Sequence, residues 1–116
     1  MLRDFFLGFI QIHVLHHAAQ EPIYGVAMIE ELARHGYELS PGTLYPLLHS
    51  LEEQGYLART NQVVEGRVRK YYVITNVGRT ALQEAKLKIA ELVREVLEDE
   101  GEPQTPETPP QSGTGS

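Results

Sequence analysis

The stretch Ser40-Pro-Gly-Thr-Leu-Tyr-Pro-Leu-Leu-His-Ser-Leu-Glu-Glu-Gln-Gly-Tyr-Leu57, followed after a short polar segment by Arg67-Val-Arg-Lys-Tyr-Tyr-Val-Ile74, decides how this chain is read. Ser40 suits a helix N-cap, and Pro41 suits the first helical position, where its missing N–H is not needed. Leu44, Leu47, Leu48 and Leu51 then fall at i, i+3, i+4 and i+7, the spacing of one apolar helix stripe. Gly55 closes that helix. Pro46 inside it predicts either a loose first turn over Ser40–Thr43 or a kink, because proline has no N–H to donate to the turn before. Tyr56 to Val64 and Val68 to Ile74 read as paired strands, with Glu65-Gly66-Arg67 at the turn. Alternation sets Lys70, Tyr72 and Ile74 on one face and Arg69, Tyr71 and Val73 on the other. A helix with a small, polar outward face, followed by a hairpin carrying Arg67, Arg69 and Lys70 at its tip, has the layout of a winged helix-turn-helix. In that layout the helix enters a DNA major groove and the hairpin lies along the phosphates.

Upstream, a first helix is expected from about Arg3 to about Ala19. Phe5, Phe6, Leu7, Phe9, Ile10, Ile12, Val14 and Leu15 wrap almost its whole circumference. A helix that is apolar all round must be covered all round. One small domain cannot cover both sides of its own terminal helix, so the second side is expected to meet another subunit. Glu21-Pro22 ends this helix, since the residue before proline avoids the α region. A second helix is expected from Ile23 or Tyr24 to Arg34. Its stripe would be Ile23, Val26, Ala27, Ile29, Leu32 and Ala33, with His35-Gly36 as the stop.

Downstream, Thr75 is expected to cap a last helix running to about Asp99. Leu82, Ala85, Ile89, Leu92 and Val96 alternate three- and four-residue spacings, a seam suited to helix–helix packing. The fold class is therefore mainly α with a small β-hairpin. Residues 1–75 form the winged helix-turn-helix, 76–100 a dimerisation helix and 101–116 a disordered tail without large apolar side chains. Phe5, Phe6, Phe9, Leu82, Ile89, Leu92 and Val96 are the expected dimer contacts.

The 116 residues allow one domain with a thin core. There is no cysteine, which excludes disulfides and thiolate metal sites and suits a reducing compartment. The net charge of −6 is unevenly spread. Residues 59–79 carry +4, and residues 83–116 carry −5. Phosphate binding depends on the local patch, so the hairpin can attract DNA although the chain as a whole is acidic. The apolar run Phe5–Leu15 is shorter than a membrane span, contains His13, and follows an Arg3 whose charge Asp4 cancels. A cytoplasmic protein without a membrane partner is expected.

Four segments resemble the PadR family of bacterial transcriptional regulators: Pro22-Ile-Tyr-Gly25, Leu39-Ser-Pro-Gly-Thr-Leu-Tyr-Pro-Leu-Leu-His49, Leu51-Glu-Glu-Gln-Gly-Tyr-Leu57, and Arg69-Lys-Tyr-Tyr-Val-Ile-Thr75 with Gly78-Arg79. The likeness covers about residues 10–82, and the pairing of Gly-Thr-Leu-Tyr with Lys-Tyr-Tyr is specific. The chain is similar to the short subfamily, in which one C-terminal helix replaces a separate C-terminal domain. Where the family usually has Pro and Glu after the last strand, this chain has Asn76 and Val77, which weakens the start of the final helix. Members with a drug-binding channel use a tryptophan as an aromatic plate. This chain has none, so that ligand mode is not carried over.

The resemblance implies that Tyr45 contacts DNA rather than serving only the core. Ser40, Gly42 and Thr43 form a cap and turn whose backbone N–H groups can also seat a phosphate. With Pro46, His49 and Ser50 they make up the outward face, which either reads DNA or is simply solvated. Arg67, Arg69 and Lys70 are read as phosphate contacts.

His13 and His17 stand at i, i+4, a chelating spacing, and Glu21 continues their face. Zinc or a similar metal would suit such ligands, but histidines partly buried at a dimer interface explain them as well. The reading adopted is no metal and no cofactor. No nucleophile–base pair or glycine-rich phosphate loop is present, so an enzyme is not expected. The expected function is a homodimeric, sequence-specific repressor on an inverted-repeat operator, released by a small-molecule effector. The alternatives are a winged-helix module that binds protein and no DNA, or a metal-responsive repressor.

Overall fold

The computed structural model describes residues 2–99. In chain order the elements are α1 (Leu2–Gln20), β1 (Ile23–Tyr24), α2 (Gly25–Arg34), α3 (Pro41–Glu53), β2 (Leu57–Val64), β3 (Arg67–Ile74) and α4 (Asn76–Val93), then a π-helical segment, Arg94–Asp99. The chain divides into two compact units between Gln83 and Glu84. The tail expected over 101–116 lies outside the described residues.

The core of the first unit is a leucine layer. Leu44, Leu47, Leu48 and Leu51 are all buried, which confirms the stripe on α3. Ile10, Val14, Leu15 and Ala18 reach them from α1, Met28 and Leu32 from α2, and Leu57, Tyr72 and Ile74 from the sheet. None of the described polar or charged side chains is buried. Removing a large side chain from such a layer costs about 2–5 kcal/mol.

The strands form an antiparallel sheet in the order β1-β3-β2. Here the structure corrects the sequence reading. Ile23 and Tyr24 do not begin α2; they pair with Tyr72 and Tyr71. A β-branched and an aromatic residue, held extended behind Pro22, complete the open edge of β3. The inward face of α2 moves accordingly to Gly25, Met28 and Leu32, leaving Val26 and Ala33 exposed.

The hairpin also differs in detail. Its turn has two residues, Glu65 (φ 52°) and Gly66 (φ 79°), so Arg67 is not in the turn but opens β3 opposite Val64. Positive φ at both central positions is the geometry that matches strand twist, and glycine adopts it without strain.

α3 runs unbroken from Pro41 to Glu53, with neither a loose first turn nor a break at Pro46. Pro46 leaves one carbonyl, that of Gly42, without its donor, and Gly42 lies on the exposed side of the helix. Ser40 holds the N-cap position in extended geometry, but its hydroxyl caps no backbone N–H. Its carbonyl accepts from both Thr43 and Leu44, each at 3.0 Å.

Thr75 caps α4 as expected. The Gly78 N–H donates to its Oγ1 at 2.9 Å, and that hydroxyl donates to the Gly55 carbonyl. Leu82 is 4% exposed within its own chain, so it is a core residue and not part of an outward seam. Ile89, Leu92 and Val96 in the second unit are exposed. The helix expected to reach Asp99 is α-helical only to Val93. No described helix is long and apolar enough to cross a membrane.

Candidate nucleic-acid interface

With about 3.6 residues per turn, the leucine stripe of α3 leaves Gly42, Tyr45, Pro46, His49 and Ser50 on the opposite side. All of these are exposed except Tyr45, which is half-buried. Tyr45 packs over Gly25 at the start of α2, so its ring has a fixed seat between core and solvent. Tyr45 is therefore in part a core residue, with the rest of its ring at the surface.

The basic hairpin closes on this face of α3. A cleft of about 590 Å³ is lined by Tyr45 and His49 from α3 and by Arg67, Arg69 and Lys70 from β3. Arg59, Tyr24 and Tyr72 complete it. Four cationic side chains and three phenols therefore border one groove beside the outward face of a helix. Such a groove can hold a phosphodiester strand by charge and by phenolic hydrogen bonds.

Individual contacts set the charges in place. The Arg69 guanidinium lies 4.2 Å above the Tyr24 ring, a cation–π contact, and Tyr24 packs against Tyr71 with ring centroids 5.6 Å apart. The neighbouring Tyr71 side chain holds the Arg69 guanidinium more firmly protonated than usual. Arg59 is partly neutralised by Glu52 at 3.3 Å, whereas Arg67 and Lys70 form no ion pair among the described residues. Burial pushes the Tyr72 phenol up, so it stays neutral and able to donate.

The structure does not bring every expected site residue into that cleft. Gly42, Thr43 and Pro46 line a second, shallower depression with Arg3 and Gln11 of α1. Ser40 and Ser50 are exposed and line neither. Arg59 and Tyr24 were not among the expected contacts. Arg59 was legible as a cation on the first strand of the hairpin, β2, opposite Tyr72 in the register. Tyr24 enters only because β1 is a strand, which its two-residue length conceals.

A second cluster lies where α1 meets the end of α2. The rings of His13 and His35 stack at 5.0 Å, and those of His13 and His17 at 6.4 Å. One ring nitrogen from each of the three lies within 4.8 Å of the others. The Glu31 Oε2 stands 3.6 Å from His17 Nε2 and 3.1 Å from His35 Nε2, while its other oxygen accepts from Arg34. Burial, and then the neighbouring histidine His35, push His13 below its ordinary value; burial does the same to His17 against the opposing pull of Glu31. The sequence paired His13 and His17 with Glu21, but the structure groups them with His35. His35 is the C-cap residue of α2, so its nearness to His13 and His17 follows only from the packing of α1 on α2.

The sequence model of the Transcriptional regulator PadR-like family matches residues 14–84. The chain is 48% identical over 96 residues to transcriptional regulator Rv3488 of Mycobacterium tuberculosis, covering 83% of this chain and 90% of that protein. Among solved structures it is similar to a PadR family transcriptional regulator of Eggerthella lenta, with a TM-score of 0.71 and 35% identity over 83% of this chain and 85% of the other. It is also similar to a PadR-like transcriptional regulator of Bacillus cereus, with a TM-score of 0.75 and 28% identity over 83% and 95%.

Proposed function

This chain belongs to the PadR-like family of transcriptional regulators, and from that premise we propose that it is a homodimeric repressor. It binds a short inverted-repeat operator in the cytoplasm and is released by a small-molecule effector. The observation that carries this reading is the groove in which Tyr45 and His49 face Arg59, Arg67, Arg69 and Lys70. The outward face of α3 enters a major groove, with Tyr45 and His49 reaching base edges and Ser40, Gly42, Thr43, Pro46 and Ser50 against the backbone. The wing residues neutralise phosphates on the flank. Glu53 lies at the far end of α3, so the acidic part of that helix stays out of the groove.

The exposed face of α1 supports the twofold assembly. Phe5, Phe6 and Phe9 are each about half exposed, and a second copy would cover them. Two half-sites then multiply the affinity of one.

Gel shifts of the full chain on the DNA upstream of its own operon, run at several salt concentrations, test the reading. Specific binding that weakens steeply with salt, and that Tyr45→Ala loses while non-specific binding persists, supports it. Absence of any salt-dependent DNA binding overturns it.

A further inference from the structure

We infer that His13, His17 and His35, with Glu31 as the fourth ligand, form a binding site for one divalent cation of the zinc class. The ligands come as two pairs at i, i+4: His13 with His17 on α1, and Glu31 with His35 at the end of α2. The first pair projects from one face of α1, the second from the last turn and the C-cap of α2, and the two meet. Three imidazole nitrogens lie within 4.8 Å of one another, and the carboxylate oxygen is 3.1 Å and 3.6 Å from two of them.

A tetrahedral zinc with bonds of about 2.0–2.1 Å sets its donors roughly 3.3 Å apart. The carboxylate distances to His17 and His35 already match. The nitrogens close the remainder by side-chain rotation, for which the 44% exposed His35 has room. Ring stacking alone would account for imidazoles in contact. It does not account for their nitrogens converging with a carboxylate.

The chemistry of the set selects the ion. Three nitrogens and one oxygen suit zinc, cobalt, nickel or copper, whereas calcium and magnesium require shells of oxygen. Arg34 holds the second Glu31 oxygen and so fixes the carboxylate from behind. The Tyr37 ring stands edge-on to His13 at 5.4 Å and limits its rotation. Glu21, just past the end of α1, is not needed. This inference does not depend on the DNA-binding reading, and each can fail without the other.

The test is calorimetric titration of the metal-free full chain with Zn²⁺, and a parallel titration with Co²⁺ followed by visible absorption. One ion per chain and the strong visible bands of tetrahedral cobalt are expected. His17→Ala, His35→Ala and Glu31→Gln should each weaken Zn²⁺ binding at least about tenfold, since even groups behind the ligands are worth 10–100-fold. His16→Ala, whose ring instead meets Gln20 at 3.3 Å, should bind as the parent does. Thermal melts without metal establish that each variant folds. If His17→Ala does not fold, the exposed His35→Ala and Glu31→Gln decide the matter. Absence of one-to-one binding overturns the site. So does affinity unchanged in His35→Ala and Glu31→Gln, or lost equally in His16→Ala.

Discussion

Gly25, the first residue of α2, lies directly beneath the ring of Tyr45, so that a β-carbon at position 25 would collide with the phenolic oxygen. The atoms it would meet are all at the far end of one side chain, which can swing away at small cost. Gly25→Ala is therefore expected to leave stability within about 1–3 kcal/mol of the parent, the range for modest overpacking. It should nonetheless displace Tyr45 from the cleft and weaken specific DNA binding as Tyr45→Ala does. Denaturant melts beside gel shifts separate the two effects. Full operator affinity in Gly25→Ala would mean that the seat of Tyr45 is irrelevant to binding.

Gly78 gives the opposite expectation from a similar contact. A β-carbon there would run into the backbone carbonyl of Tyr56 and the side chain of Ile74. A carbonyl cannot rotate aside, and this one also accepts from the Thr75 N–H at 3.0 Å. Gly78→Ala should therefore destabilise the first unit by at least about 1–3 kcal/mol and lower the melting temperature, with no residue of the cleft altered. An unchanged melt would contradict the packing of the first turn of α4 against Tyr56 and Ile74.

These two glycines mark where the sequence is legible and where it is not. The α3 stripe, the wing and the Thr75 cap were readable because spacing of three and four, alternation by two and a capping hydroxyl are local signals. The strand Ile23-Tyr24 was not, because two residues carry no period and their pairing depends on β3, far along the chain. That single strand shifted the buried face of α2 and brought Tyr24 under Arg69. His35 was hidden for the same reason: its neighbours His13 and His17 are close in space only after α1 and α2 pack. Leu82 misled because core leucines and seam leucines share the same helical spacing.

The proposed wing makes a quantitative expectation possible. Removing one cation that neutralises a phosphate lowers the slope of log affinity against log salt by about 0.9. Arg67→Ala and Lys70→Ala should each reduce the slope by about one and weaken specific and non-specific binding alike. Arg59→Ala should reduce it by less, because Glu52 already neutralises part of that charge. Equal slopes for the parent and all three variants would remove the wing from the interface.

Stability should fall in mildly acid solution. Burial depresses both His13 and His17 below the unfolded value of 6.5. Their surroundings are mixed: His16 and His35 oppose protonation, while Glu31, and Glu21 for His17, favour it. A depressed folded value means that the unfolded chain binds more protons in the window between the two values. Stability is thus fully present above pH 6.5 and is lost as pH falls through the folded values. In metal-free protein, the melting temperature should be level above about pH 7, just past the free imidazole value, and should drop below it. His13→Gln combined with His17→Gln should flatten that drop. An equal drop in the double variant would assign the acid sensitivity elsewhere.

The proposed dimer rests on α1, and Phe9 tests it most directly. Its side chain is 46% exposed in the single chain, so in a monomer truncation would cost less than the roughly 3–5 kcal/mol of a core phenylalanine. In a symmetric dimer the substitution removes two rings from one interface. Loss of about 1.4 kcal/mol per ring would weaken association roughly a hundredfold. Phe9→Ala should therefore shift sedimentation at micromolar concentration toward monomer, and adding Ile89→Ala in the second unit should complete the shift. Operator affinity should fall with the dimer, because one half-site no longer holds the other in place. A folded monomer that still binds the operator tightly would contradict both the assembly and its role in binding.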